Sequence, residues 1–219
     1  TVSADILKKY PPIDEEKADI LLKKEMEANG AKIVVLDDDP TGVQTVHDIS
    51  VYTDWSRESI EQGFREKNRL FYILTNSRGF TADQTTAAHR EIACNIAEMA
   101  ERLGIRYMVM SRSDSTLRGH YPLETRLLKE VLEAHGSPVL DGEILCPFFR
   151  EGGRFTIGNV HYVKYGDKLV PAGNTEFAQD RTFGYQSSDL REYVEEKTDG
   201  EYPAAEVVCI TLESLRGMR

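Results

Sequence analysis

Three consecutive aspartates, Asp37, Asp38 and Asp39, are the first residues in this chain whose type and spacing could do chemistry. Adjacent carboxylates repel one another and lose hydration if buried, so they call for a metal ion, an arginine or a hydroxyl-bearing substrate. They could accept a proton from a hydroxyl or hold Mg²⁺. Two further runs supply complementary groups. Asn76-Ser77-Arg78-Gly79 and Ser111-Arg112-Ser113-Asp114-Ser115-Thr116-Leu117-Arg118-Gly119-His120 offer hydroxyl donors and the guanidinium forks of Arg78, Arg112 and Arg118. Such forks suit a carboxylate or a phosphate. Glu151-Gly152-Gly153-Arg154 adds a glycine turn that could form a backbone nest for an anion, and one more arginine. His120 and His161 each sit beside a glycine-bearing loop. Together these groups fit a small, polyhydroxylated acid. The plainer alternatives are an ion-pair network between loops, an acidic turn in water and satisfied histidines.

These runs need elements to carry them. Ile33–Leu36 is apolar and mostly β-branched, reads as a strand buried on both faces, and should stop near Asp37 because Pro40 and Gly42 follow. Leu70–Thr75 and Tyr107–Met110 read the same way, and each empties into one of the polar runs. Helices are expected over Asp14–Asn29 (apolar contacts Ile20, Leu21 and Met26), over Ser56–Glu66 with Ser56 as N-cap, and after a Thr81/Gln84 capping box. The last of these carries Ile92, Ile96, Met99 and Leu103 inward and closes at Gly104. Another helix starts at Pro122, turns Leu123, Leu127, Leu128, Val131 and Leu132 inward and ends at Gly136. Alternating strand and helix implies an α/β fold, Rossmann-like and three-layered, with a mostly parallel sheet and helices on both faces. In a parallel sheet the loops after the strands emerge on one edge, so the three polar runs should converge. Further expectations are a loose arm over Thr1–Pro12, short strands at Ile49–Thr53 and Glu143–Cys146, one or two more within Thr156–Val170, a loop over Gly173–Tyr185, a helix over Ser187–Lys197 with Leu190 and Val194 inward, and a last strand at Val207–Leu212.

Composition narrows the classes. With 27 Lys plus Arg against 37 Asp plus Glu, the formal net charge of −10 argues against nucleic-acid or anionic-membrane binding. No apolar run approaches the roughly 20 residues of a membrane helix, and the N-terminus has no signal-peptide pattern. Three scattered cysteines with no CxxC suit free thiols in a cytoplasm. There is no HExxH or other zinc spacing, no Gly-x-Ser-x-Gly elbow, and neither GxxxxGK[ST] nor GxGxxG. Any ATP must therefore be bound elsewhere.

Four stretches resemble a known family: Asp38-Asp39-Pro40-Thr41-Gly42; Asp114-Ser115-Thr116-Leu117-Arg118-Gly119; Glu151-Gly152-Gly153-Arg154 with Thr156 and His161; and Thr175-Glu176-Phe177-Ala178 with Asp180. Together they are similar to the four-carbon acid sugar kinase family, from Ile33 to Leu215. The resemblance implies ATP-dependent phosphorylation of acids such as threonate, erythronate or 3-oxo-tetronate. It also implies an N-terminal sugar-acid-binding domain (here 31–219, after an arm and helix at 1–30) and a C-terminal nucleotide-binding domain, absent from this chain, that supplies ATP and Mg²⁺. It leaves room for a homodimer. Carried across, Asp38 and Asp39 would be catalytic. Asp114, Ser115, Arg118, Glu151, Gly152, Gly153 and Arg154 would face the sugar acid with them; Asp37, Thr41 and Arg78 are added as substrate-binding candidates from the converging loops. Members commonly carry an Asp four residues after the motif threonine, where this chain has Thr45, and a Lys two before the second motif's Asp, where it has Arg112. Both differences bear on which acid is taken.

In this reading an arginine, with Arg118 favoured, pairs with the substrate carboxylate, and Asp38 or Asp39 accepts the proton of the attacking hydroxyl. One alternative is a haloacid-dehalogenase-like Mg²⁺-dependent phosphatase, with Asp37 as nucleophile, Asp39 as acid–base and Thr75 as second motif. Another is a non-catalytic ligand-binding fragment.

Overall fold

The structure, a computed structural model, describes residues 1–10, 12–43 and 46–217. In chain order its elements are β1 (Val2–Ser3), α1 (Glu15–Ala28), β2 (Lys32–Asp37), β3 (Val51–Tyr52), α2 (Arg57–Arg65), β4 (Leu70–Leu74), α3 (Ala82–Leu103), β5 (Tyr107–Arg112), α4 (Leu123–Ala134), β6 (Arg154–Ile157), β7 (Val160–Tyr165), β8 (Lys168–Pro171), α5 (Leu190–Lys197) and α6 (Leu212–Gly217). They fall into two compact units. One comprises Gly30–Asp114 and Gly119–Leu145; the other comprises Thr1–Asn29, Ser115–Arg118 and Cys146–Arg219.

The first unit is built on a four-stranded parallel sheet in the order β3-β4-β2-β5. The β-branched run of β2 lies in the middle. Val34 and Leu36 of β2, with Phe71 and Ile73 of β4, point to one face and are at most 2% exposed. On them pack Ile60 and Phe64 of α2, Ile92, Ala93 and Ile96 of α3, and Leu128, Val131 and Leu132 of α4. Gly63 lets the Phe71 ring approach α2, because a Cβ there would lie 2.6 Å from the ring. The helix boundaries follow local chemistry. Ser56 accepts from the Ser59 amide at the start of α2, Thr81 and Gln84 form a reciprocal capping box on α3, and Gly104 takes the left-handed conformation that closes it. On the opposite face Val35 and Tyr72 are buried, whereas Met108 and Met110 of the outer strand β5 stay about half exposed.

The second unit carries a four-stranded antiparallel sheet, β1-β8-β7-β6. The fold is thus a mixed α/β one in which a parallel sheet with helices is accompanied by a second, antiparallel sheet.

Several expectations are corrected here. The Thr1–Pro12 arm is not loose throughout, since β1 pairs with β8 and a 3-10 helix spans Ala4–Lys9; Pro11 lies outside the described residues. Thr156–Val170 overlaps three strands, because glycine and asparagine turns fold it into a meander. Helix α1 forms where expected with Asp14 as N-cap, but it buries nothing; Ile20 and Met26 are 61% and 42% exposed. No strand forms over 143–146. Nor does one form over Val207–Leu212, where a β-branched run finds no ladder partner and Leu212 instead begins α6. Gly173–Tyr185 contains two 3-10 turns, at Ala172–Asn174 and Glu176–Gln179.

Candidate functional site

In the parallel-sheet unit, β2 ends at Asp37, beside Arg112 on β5, and the chain then turns away. The carboxylates leave the sheet at its carboxyl edge, next to the loops after β4 and β5. Asp37 is fully buried. Its Oδ1 accepts from Arg112 Nη1 at 3.2 Å, and its Oδ2 has no hydrogen-bond partner among the described residues. Burial pushes this carboxyl up, against the pull of Arg112.

Asp38 is 2% exposed and is gripped in a fork: Arg78 Nη2 donates to Oδ1 at 2.7 Å and Arg78 Nε to Oδ2 at 3.1 Å. Burial pushes Asp38 up to about 6; Arg78 opposes this, while the charges of Glu124 and Asp114 add to it. Each carboxylate oxygen keeps a second lone pair. Beside Oδ2 stands Gly119, at φ +142°. A Cβ there would come within 2.8 Å of Ser113 Oγ and 3.5 Å of Asp38 Oδ2. The missing side chain lets the loop pass this close to Ser113 and Asp38.

Asp39 is held differently. Its Oδ1 accepts from the Thr41 amide at 2.7 Å and the Thr41 hydroxyl at 2.5 Å, and its Oδ2 from Arg78 Nη1 at 3.1 Å. Burial would raise its proton affinity, but these bonds and the two nearby arginines outweigh it, so Asp39 sits below the ordinary carboxylate value. The two aspartates proposed as catalytic are thus pushed in opposite directions. Asp38 is the more basic.

In the antiparallel-sheet unit, the tetrapeptide Ser115–Arg118 is held by its backbone. His161 Nε2 donates to Ser115 O at 2.7 Å, the Tyr185 hydroxyl to Thr116 O at 2.6 Å, and the Tyr193 hydroxyl to Leu117 O at 3.1 Å. Three successive carbonyls each receive a buried side-chain donor, and Leu117 takes a positive φ of 67° there. Arg118 places its guanidinium over the Phe177 ring at 5.0 Å, donates from Nε to Thr116 Oγ1 at 3.1 Å and lies 4.0 Å from Asp180 Oδ2. Arg154 lies over the same ring at 5.6 Å, and its buried Nε has no hydrogen-bond partner among the described residues. Two guanidiniums on one aromatic ring make a cationic patch suited to an anion. Glu151, Gly152 and Gly153 form the turn before β6, where Gly153 takes φ +74° and its amide donates to Arg150 O at 3.0 Å.

The structure therefore brings Asp37, Asp38, Asp39, Thr41 and Arg78 together, with the charge of Asp114 felt at Asp38. Separately, it brings Arg118 and Arg154 together on Phe177. Ser115 contributes its carbonyl to the loop. His120 and His161 spend ring nitrogens on backbone carbonyls; His120 Nε2 meets Ser77 O and Phe80 O at 3.1 and 3.0 Å. Thr45 lies outside the described residues. Among the described residues no group of three or more His, Cys, Asp or Glu side chains is placed to hold a metal ion, and the Asp38 and Asp39 oxygens are taken by Arg78 and Thr41. The donor set does not fit a resident Mg²⁺. No helix among the described residues is long and apolar enough to cross a membrane.

Sequence reasoning passed over Glu124, Tyr185 and Tyr193. Only Glu124 left a signal, as a carboxylate in phase with Leu127, Leu128 and Val131 on the inner stripe of α4.

A family model described as a sugar-binding N-terminal domain matches residues 33–216. No curated protein matches. Among solved structures, the chain is similar to a domain of unknown function (DUF1537) from Bordetella bronchiseptica, described as a domain-swapped dimer with bound citrate. The TM-score is 0.51 at 22% identity, over 74% of this chain and 39% of that one, so this chain spans well under half of that relative's length. The family match covers most of the chain, which therefore belongs to the family described as a sugar-binding N-terminal domain.

Proposed function

We propose that this chain is the sugar-acid-binding part of an ATP-dependent kinase that phosphorylates a four-carbon sugar acid. The observation that carries the reading is Asp38, a buried carboxylate raised to about 6 yet held in place by Arg78. Such a group is ionised at neutral pH and basic enough to accept a hydroxyl proton. Arg118, with Arg154 beside it on Phe177, pairs with the carboxylate of the acid. Asp37, Asp39, Thr41, Arg78, Asp114, Ser115 and the Glu151–Arg154 turn support these two groups. Mg·ATP, carried by a C-terminal nucleotide-binding domain of the complete protein, supplies the γ-phosphoryl group. Citrate, a small hydroxylated polycarboxylate, is the kind of anion the reading expects, and the relative's dimer makes a homodimer part of the proposal. So are a cytoplasmic location and a Rossmann-like three-layer arrangement.

The phosphatase alternative, with Asp37 as nucleophile, leaves the Asp114–Gly119 run without a role. Calorimetric titration with threonate and erythronate tests the kinase reading. Arg118→Ala is expected to weaken binding by about 10- to 100-fold, the scale of a lost charge-assisted pair. Asp38→Asn in the complete protein is expected to retain binding and lose phosphoryl transfer. Wild-type affinity in Arg118→Ala would remove that arginine from the site.

A further inference from the structure

Glu124 is 3% exposed, on the inner stripe of α4, within the parallel-sheet unit. A carboxylate is buried at high cost unless hydrogen bonds replace its water. Here Oε1 accepts from Ser77 Oγ at 2.7 Å and Oε2 from Ser113 Oγ at 3.3 Å. The two serines belong to different loops, one after β4 and one after β5. His89 of α3 closes the other side, with Nε2 at 3.6 Å from Oε1, while its Nδ1 must carry a hydrogen to reach Thr85 O at 3.0 Å.

Ser77 directly precedes Arg78. Its carbonyl accepts from His120, its hydroxyl is held by Glu124, and the Arg78 amide donates to Asp38 O at 3.2 Å. A short connected path therefore runs from Asp38 through Arg78 and Ser77 to Glu124. Ser113, the other tether, lies where a side chain at Gly119 would collide with it, close to Asp38 Oδ2.

We propose that Glu124 is the positioning residue of this site, its two oxygens tying the loops after β4 and β5 together so that Arg78 meets Asp38 in a two-bond fork. The catalytic meaning rests on the reading of Asp38 as proton acceptor; the tethering does not. Glu124 also acts through its charge, which opposes ionisation of Asp38. The other charged groups bearing on Asp38 are Arg78, from the loop after β4, and Asp114, from the loop after β5; Asp39 shares Arg78 with it. His89, the partner of Glu124, feels in turn the charges of Glu124 and of His120, which precedes α4.

The test uses the ligand-free chain. In Glu124→Gln the shape is kept and the charge removed, so the carboxyl-carbon titration of Asp38, followed by NMR, is expected to move down by about half a pH unit or more. An Asp38 titration identical to wild type overturns the proposal. Ser77→Ala and Ser113→Ala each remove one tether without disturbing α4. Solvent exchange of the Arg78 Nε–H is expected to quicken about tenfold or more in Ser77→Ala, and unchanged exchange in both serine variants also overturns it. Neither readout needs a substrate. Failure to bind any four-carbon acid would sink the kinase reading and leave the tether standing, and a failed tether leaves the kinase reading intact.

Discussion

Arg78→Ala is expected to destabilise the chain by about 3–5 kcal/mol, the usual cost of removing one partner from a buried ion pair. Arg78 donates to both oxygens of Asp38 and to Asp39 Oδ2, and its own side chain is only 21% exposed. Without it Asp38 remains a buried charge with no counterion, next to two further carboxylates that oppose its ionisation. The group would respond by taking up a proton. The measurement is the denaturant midpoint at pH 7 of wild type, Arg78→Ala, Asp38→Asn and the double variant. The double variant is expected to recover much of the loss, because it removes the stranded charge along with its partner. Strict additivity of the two single effects would show that the fork is not an energetic unit. Arg78→Lys is expected to recover only part of the stability, since an ammonium cannot make the two parallel bonds.

The second large effect is on pH dependence. Asp38 rises from an ordinary 3.8 to about 6 in the folded chain. Between those values the native state binds more protons than the unfolded state, so stability falls as pH rises through that window. The contribution is fully present below about 4 and lost above about 6. At about 1.4 kcal/mol per pH unit the gap amounts to about 3 kcal/mol. Asp39, Asp180 and Asp189 are held low by their hydrogen bonds, and each contributes stability that is lost only as pH falls towards its lowered value. The two trends therefore separate. Unfolding free energies at pH 5, 6, 7 and 8 for wild type and Asp38→Asn should differ by an amount that changes with pH between 5 and 7 and levels off above it. A constant difference would place the titration elsewhere. Under the proposed kinase function, phosphoryl transfer by the complete protein should fall away below about pH 6, where Asp38 is protonated and can no longer accept a proton.

Much of the parallel-sheet unit was legible because its signals are local. The run Ile-Val-Val-Leu before Asp37 makes a buried strand, Ser56 and Thr81 cap helices, and Gly104 ends one; each choice depends on neighbours in sequence. The approach of Arg78 to Asp38 followed from the rule that parallel strands deliver their loops to one edge. What escaped notice depends on partners far along the chain. Val207–Leu212 has the composition of a strand, but β-propensity describes fit to a sheet surface and cannot supply an edge to pair with. Helix α1 has apolar residues at helical spacing and nothing to bury them in. Tyr185 and Tyr193 were invisible as site supports because each meets a carbonyl roughly 70 or more positions away, at a distance sequence periodicity does not reach.

The tetrapeptide Ser115–Arg118 belongs to one compact unit while the chain on either side of it belongs to the other. A gene fragment that begins at Cys146 would therefore encode three of the four antiparallel strands, without β1 and without Ser115, Thr116 and Leu117, whose carbonyls accept from His161, Tyr185 and Tyr193. Three buried donors would be stranded at once, and no single cut in the reading frame yields that unit whole. For anyone dissecting this protein, the shortest truncation worth expressing keeps the signature run and everything on both sides of it.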